Sequence, residues 1–224
     1  AAVALDAGQE VSQQTVGITW QDPVTLPGTL TVGSFLSRRD FRQQLPFPGP
    51  SLIDYQRLYY GGNLEYQQAF NVQDKPIQLS LGTDLARQQD DRSRYSVNFD
   101  REITGQTQRE DQTATSIGLF VQGDVEWFRG FRTSLGLRHD YLKLAIDDRW
   151  LQDDEDGSGS RRFHENSGML GVSYRLAPQR QLYANIGTAF ESPTFTEFAR
   201  PDGSSGFNPR LEPQETVSRE LGMR

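Results

Sequence analysis

Apolar and polar residues alternate with a period of two along most of this chain. In Pro76–Ala86, Ile77, Leu79, Leu81, Thr83 and Leu85 fall on one face, and Gln78, Ser80, Gly82, Asp84 and Ala86 on the other. That is the repeat of a β-strand and not of a helix. Leu58–Phe70 follows the same rule, with Leu58, Tyr60, Leu64, Tyr66 and Phe70 opposite Asn63, Glu65 and Gln67. In Ser116–Phe128, Ile117, Leu119, Val121, Val125 and Trp127 oppose Gln122, Asp124 and Glu126. Phe131–Ile146 sets Leu135 and Leu137 against Arg138 and Asp140. Met169–Leu176 and Gln181–Phe190 repeat the pattern; Thr15–Trp20, Thr29–Arg39 and Glu215–Arg224 are shorter instances.

The connections between these segments alternate in character. Gln21–Pro27, Asn71–Pro76, Phe128–Gly130 and Ala177–Arg180 are short and turn-like. Phe41–Asp54, Gln88–Gln112, Asp147–His164 and Glu191–Gln214 are long and polar. An antiparallel wall with tight turns on one side and long loops on the other is how outer-membrane β-barrels are built. Periodicity alone leaves a soluble β-sandwich open, because its strands alternate in the same way. Segment length points to the membrane: several segments run to about 12 residues, against a mode of ~5–6 in soluble strands and ~9–11 in membrane spans. Tyr59, Tyr60, Tyr66, Trp127, Tyr141 and Tyr174, near strand ends, suit aromatic girdles. Leu142, Leu144 and Ile146 change face, which predicts a bulge or an exit from the membrane.

Composition agrees with this architecture. Mean hydropathy is −0.66, and only 35% of the 224 residues are hydrophobic. That is poor for a packed core but sufficient for a wall with one apolar face. No apolar run approaches the ~20 residues of a transmembrane helix, and Ala1–Glu10 does not read as a signal peptide. A net charge of −7 argues against a general nucleic-acid binder. The absence of cysteine removes disulfides and thiolate metal sites. No repeat of solenoid or blade length and no domain boundary interrupts the rhythm, and Asp153–Ser160 reads as a loop tip.

No catalytic constellation emerges. His139 and His164 lie in different segments with no metal-binding spacing around them. The acidic tip Asp153-Asp154-Glu155-Asp156-Gly157 fails as an EF-hand loop, because placing Gly157 sixth puts Gln152 first and Phe163 twelfth. Asp84, Asp124, Glu126, Arg138 and Arg175 sit mid-strand on the polar face. Asp124, Glu126 and Arg138 could there form a charge network lining a lumen.

Gln181–Arg224 carries the most specific pattern. It reads Leu182-Tyr183-Ala184-Asn185, then Gly187-Thr188-Ala189-Phe190-Glu191-Ser192-Pro193-Thr194 with Glu197 beyond, then Asn208-Pro209-Arg210-Leu211-Glu212-Pro213, and Glu220-Leu221-Gly222. Upstream stand Phe120-Val121-Gln122-Gly123-Asp124-Val125-Glu126-Trp127 and Gly136-Leu137-Arg138-His139-Asp140-Tyr141. In order and spacing these resemble the barrel of TonB-dependent outer-membrane receptors. Gln214, Gly123 and His139 depart from the family pattern without touching the fold.

The resemblance implies an all-β fold, part of a transmembrane up-and-down barrel. About nine strands are present here, against 22 in the family barrel, with the plug domain and the closing strands outside the chain. It further implies a non-enzymatic receptor of the Gram-negative outer membrane, embedded in lipid and lipopolysaccharide. Such a receptor would capture a ferric siderophore or similar nutrient chelate and draw energy from the TonB–ExbB–ExbD complex. No cofactor or bound metal of its own is expected. The long loops become the extracellular side, and Asp84, Asp124, Glu126, Arg138 and Arg175 would face the lumen and plug. Candidate ligand contacts are Arg92, Arg94, Tyr95 and Arg101 in one loop and Phe195, Phe198, Arg200 and Phe207 in another. Pro193 and Glu197 are expected to set loop geometry. The competing readings are a passive porin or adhesin barrel and a soluble β-sandwich carbohydrate-binding module or enzyme domain. An isolated open wall of this kind is expected to aggregate or to need detergent.

Overall fold

The computed structural model describes residues 7–22, 27–46, 51–152, 156–198 and 207–224. Nine strands form one sheet in sequence order, β1 (Gly8–Asp22), β2 (Thr29–Leu45), β3 (Ser51–Val72), β4 (Lys75–Val97), β5 (Ile103–Phe128), β6 (Phe131–Asp148), β7 (Gly159–Ala177), β8 (Arg180–Glu191) and β9 (Gln214–Met223). Every neighbouring pair is antiparallel. The β3–β4, β5–β6 and β7–β8 connections are tight turns. Gln73 and Asp74 both take positive φ, 51° and 61°, the backbone of a two-residue type I′ hairpin. Gly130, at φ 87°, closes the β5–β6 turn where a side chain would be strained.

Residues paired in register share a face. Asp84 pairs with Asn63 and Gly118, and Gly118 with Asp140, so these define a polar face. The opposite face is apolar and open: Val16, Leu36, Leu64, Leu85, Leu119, Leu137, Leu170, Ile186 and Leu221 are all exposed. The packed core is correspondingly small. Leu144, Ile146, Phe163 and Phe198 form its centre, with Leu142, Phe195, Phe207 and Leu211 against it. No helix is long and apolar enough to cross a membrane, which says nothing of a β-barrel.

Three sequence expectations are corrected. Gln88–Gln112 is not a loop: β4 runs to Val97 and β5 starts at Ile103, leaving only residues 98–102 as the connection. Phe41–Asp54 and Asp147–His164 also shrink, because β2 reaches Leu45 and β7 starts at Gly159. Here polar residues dominate and the few apolar ones do not alternate cleanly, so no period marks the strand, yet the backbone ladder continues because it needs no apolar side chains. Second, of the two expectations for Leu142, Leu144 and Ile146, a bulge or an exit from the membrane, the bulge is absent; β5–β6 register is unbroken there, and the irregularities fall at Arg94/Tyr95, Ser96/Val97, Glu126/Phe128 and Arg175/Ala177. They lie on the otherwise polar face because the β8–β9 connection packs over them through Phe195 and Phe198. Third, Tyr59 is not in a girdle. It shares the polar face with Phe35, ring centroids 4.8 Å apart.

Candidate functional site

Beyond the apolar band, on the long-connection side, the polar face becomes a wall of arginines and aromatics. In-register pairing brings Arg39 beside Arg57, Arg57 beside Asp90, Phe41 beside Tyr55, and Tyr55 beside Arg92. Each arginine two residues from a ring in a strand shares its face. Arg39 lies 5.5 Å from the Phe41 ring centroid, Arg57 5.2 Å from Tyr55, and Arg161 5.7 Å from Phe163. Phe41 and Tyr55 stack at 4.6 Å and 17°. The alternating Arg-x-aromatic spelling was visible in the sequence at Arg39–Phe41, Tyr55–Arg57 and Arg161–Phe163.

The electrostatics of this wall favour an anion. Arg57 is neutralised: its Nε and Nη2 donate to the two carboxylate oxygens of Asp90 at 2.9 and 2.7 Å. The Asp90 side chain is only 3% exposed and also accepts from Gln88 Nε2 at 3.0 Å. Arg92 makes no ion pair among the described residues, although Glu110 stands beside it in register; burial first, and Arg94 second, push its pKa below the usual guanidinium value, with Glu110 opposing them. The Nε atoms of Arg39, Arg92, Arg94 and Arg161 are buried without a hydrogen-bond acceptor. Buried donors left unpaired are costly, and the four side chains as a whole are only half-buried, so an anion could still meet their guanidinium groups. A cavity of about 340 Å³ opens beside this wall, lined by Arg57, Gln88, Arg92, Gln112, Leu144 and Phe195 among others.

The structure brings some of the candidates together and separates the rest. Arg92 and Phe195 line one cavity, and Arg94 lies on the same face. All three of Arg92, Arg94 and Tyr95 are in β4, not in a loop, and alternation turns Tyr95 to the other face. Arg101 is at the β4–β5 tip with φ 70°, its N–H donating to Asn98 O. Phe198 is 1% exposed and stacks on Phe207 at 4.5 Å, so both are packing residues. Arg200 and the acidic tip residues Asp153, Asp154 and Glu155 lie outside the described residues. Arg57, Gln88 and Gln112 were missed, since only strand register shows what they face.

Nearer the short turns, the charged residues divide into two groups. Arg138 donates to Asp84 at 2.8 Å and is held bidentately by Asp140. It crosses the space left by Gly118, where a β-carbon would collide with the guanidinium. Asp124 instead accepts from Ser134 and Gln122, and Glu126 pairs with Arg132 at 3.5 Å. The suggested Asp124–Glu126–Arg138 network is therefore not one network. Arg175 lies at the short-turn end, its N–H bonded to Gly130 O at 2.8 Å.

The sequence motifs are cross-strand units. Tyr183 pairs with Gly222 and Asn185 with Glu220. The Glu220 carboxylate accepts from Tyr183 Oη and Asn185 Nδ2, both at 2.9 Å. Glu197 accepts from the Thr194 N–H at 2.6 Å and hydroxyl at 2.8 Å, which lowers its pKa and holds the turn after Pro193. His139 Nδ1 lies 2.9 Å from Asn166 Oδ1 on the apolar face. No group of three or more His, Cys, Asp or Glu residues suited to a metal occurs among the described residues.

A family model described as "TonB dependent receptor-like, beta-barrel" matches residues 5–224. Among solved structures, the chain resembles the ferric citrate transporter FecA in unliganded form at a TM-score of 0.83 and 13% identity, covering 96% of this chain and 32% of that one. It resembles the copper transporter OprC at 0.76 and 17%, covering 96% and 37%. It resembles the siderophore receptor PiuA from Acinetobacter baumannii at 0.76 and 13%, covering 97% and 38%. The chain thus spans about a third of the length of each of these three. No curated protein matches it.

Proposed function

Because this chain belongs to the TonB-dependent receptor β-barrel family, we propose that it is wall and outer vestibule of an outer-membrane receptor for an anionic metal chelate, with a ferric siderophore the first choice. The observation that carries the reading is the wall of Arg39, Arg92, Arg94 and Arg161, whose buried Nε donors lack acceptors, backed by Phe41, Tyr55 and Phe163. Aromatic faces and guanidinium groups together suit a flat, negatively charged chelate. The apolar face meets lipid, the Arg138–Asp84–Asp140 group faces the lumen and a plug, and TonB with its ExbB–ExbD partners supplies the energy. No chemical step is required of any residue.

The test is equilibrium binding by the full-length receptor in detergent micelles. The probes are ferric citrate, a ferric tris-catecholate and a ferric hydroxamate, read by quenching of intrinsic fluorescence. Saturable binding of at least one anionic chelate is expected, weakened roughly tenfold or more by R92Q, in line with loss of a charge-assisted contact. Failure to bind any anionic chelate, together with steady open-channel conductance in planar bilayers, would replace this reading with a passive pore.

A further inference from the structure

The apolar face carries a second feature that ligand capture does not use. Just beyond its apolar band, Arg87, Thr115, Lys143 and Arg162 stand side by side in register across β4, β5, β6 and β7. Tyr60 continues the row on β3. Arg87 follows Leu85 by one strand repeat on this face, and Lys143 follows Tyr141. Arg87 and Arg162 are exposed and Lys143 is half-buried. Among the described residues none of the three has an ion-pair partner, unlike Arg57, Arg132, Arg138 and Arg149.

The neighbouring rows explain why Arg87 and Lys143 stay free, and Arg162 shares a surface hollow with Glu212 and Glu215 without pairing to either. The next row outward, Gln89–Thr113–Ala145, is uncharged. The acids come one row further, where Asp91, Asp111 and Asp147 align. There Arg149 bridges Asp111 and Asp147 at 2.8 and 3.0 Å. Lys143 and Arg162 stand on neighbouring strands, and Arg87 two strands from Lys143 across Thr115, so the three like charges repel one another without a counter-charge. Their level on the wall, at Tyr60 and just past Tyr141, is where the apolar band gives way to head groups.

We propose that Arg87, Lys143 and Arg162 form a docking row for the phosphate groups of anionic lipids in the leaflet on the long-connection side. This rests on the barrel reading above. The chemistry is phosphate recognition by clustered Arg and Lys at a membrane surface, where each basic residue contributes roughly fivefold.

The experiment uses the full-length receptor in dodecyl maltoside, titrated with phosphatidylglycerol or phosphatidylcholine and read by native mass spectrometry. Wild type should retain phosphatidylglycerol preferentially, and R87Q/K143Q/R162Q should lose more than about tenfold of that preference. R109Q, which removes a charge farther out on the same face, should keep it. Millimolar inorganic phosphate should not compete, because the apolar band holds the acyl chains. Full preference in the triple variant, or equal competition by free phosphate, overturns the proposal. Where the triple variant lacks the heat-modifiable band of a folded barrel, K143Q alone carries the test, with about a fivefold loss expected. A folded wild type blind to phosphatidylglycerol overturns only the lipid row. A wild type without a heat-modifiable band in outer membranes overturns the barrel as well.

Discussion

Replacing Arg57 by alanine isolates the strongest interaction in the candidate wall. The substitution removes both hydrogen bonds to Asp90, at 2.9 and 2.7 Å, and leaves a carboxylate that is 3% exposed with only Gln88 to support it. Breaking a fully buried pair from one side costs about 3–5 kcal/mol, whereas an exposed pair is worth about 0–1 kcal/mol. Arg57 is itself 30% exposed, so R57A should cost about 2–3 kcal/mol. Most of that is the stranded charge, so D90N added to R57A should recover a kilocalorie or so, about half the loss. The assay is a double-mutant cycle on the full-length receptor, by urea unfolding in detergent with tryptophan fluorescence and gel mobility followed together. Coincident transitions and a coupling energy above about 1 kcal/mol are expected. Additive single-variant effects, with coupling under about 0.5 kcal/mol, would refute a desolvated pair at this position.

Three further outcomes are expected. Gly118→Ala places a β-carbon on the Arg138 guanidinium and within 2.8 Å of Asp140 Oδ1, so it should destabilise the barrel. The cost should be about 1 kcal/mol, through the displaced and partly exposed ion pair, against almost none in an R138A background, as read by urea midpoints. Gln73→Gly relieves a positive φ in the β3–β4 hairpin and should stabilise by about 0.5–1 kcal/mol; an unchanged thermal midpoint would contradict the turn type. Glu197 has its folded-state pKa lowered by the Thr194 N–H and hydroxyl, so its contribution is present above the ordinary carboxylate range and lost as pH falls through the lowered value. Proteolytic cleavage near Phe195–Phe198 should therefore rise on acidification in the wild type, start high in E197Q, and vary with pH in E197Q only as the protease does.

Much of the fold was legible because one physical constraint repeats along the chain. A wall with an apolar face must alternate, so the band of β4 from Ile77 to Leu85 and its counterparts announced themselves. Where polar residues dominate both faces, as in Gln88–Val97, alternation carries no signal and the strand reads as loop. The same loss misplaced the arginines. Arg92 was singled out, but Arg57 and Arg39 were not, because their significance lies in which residues face them across the ladder.

The amino-acid order alone determined the strand repeat, the apolar face, and the motifs shared with the family. These are local properties, set within a few residues. The tertiary structure alone decided that Tyr183 and Asn185 meet Glu220, that Gly118 makes room for Arg138, and that Phe198 is core. It also aligned Arg87, Lys143 and Arg162 in one row. Each of these depends on strand register, and a shift of one residue would turn every side chain to the other face.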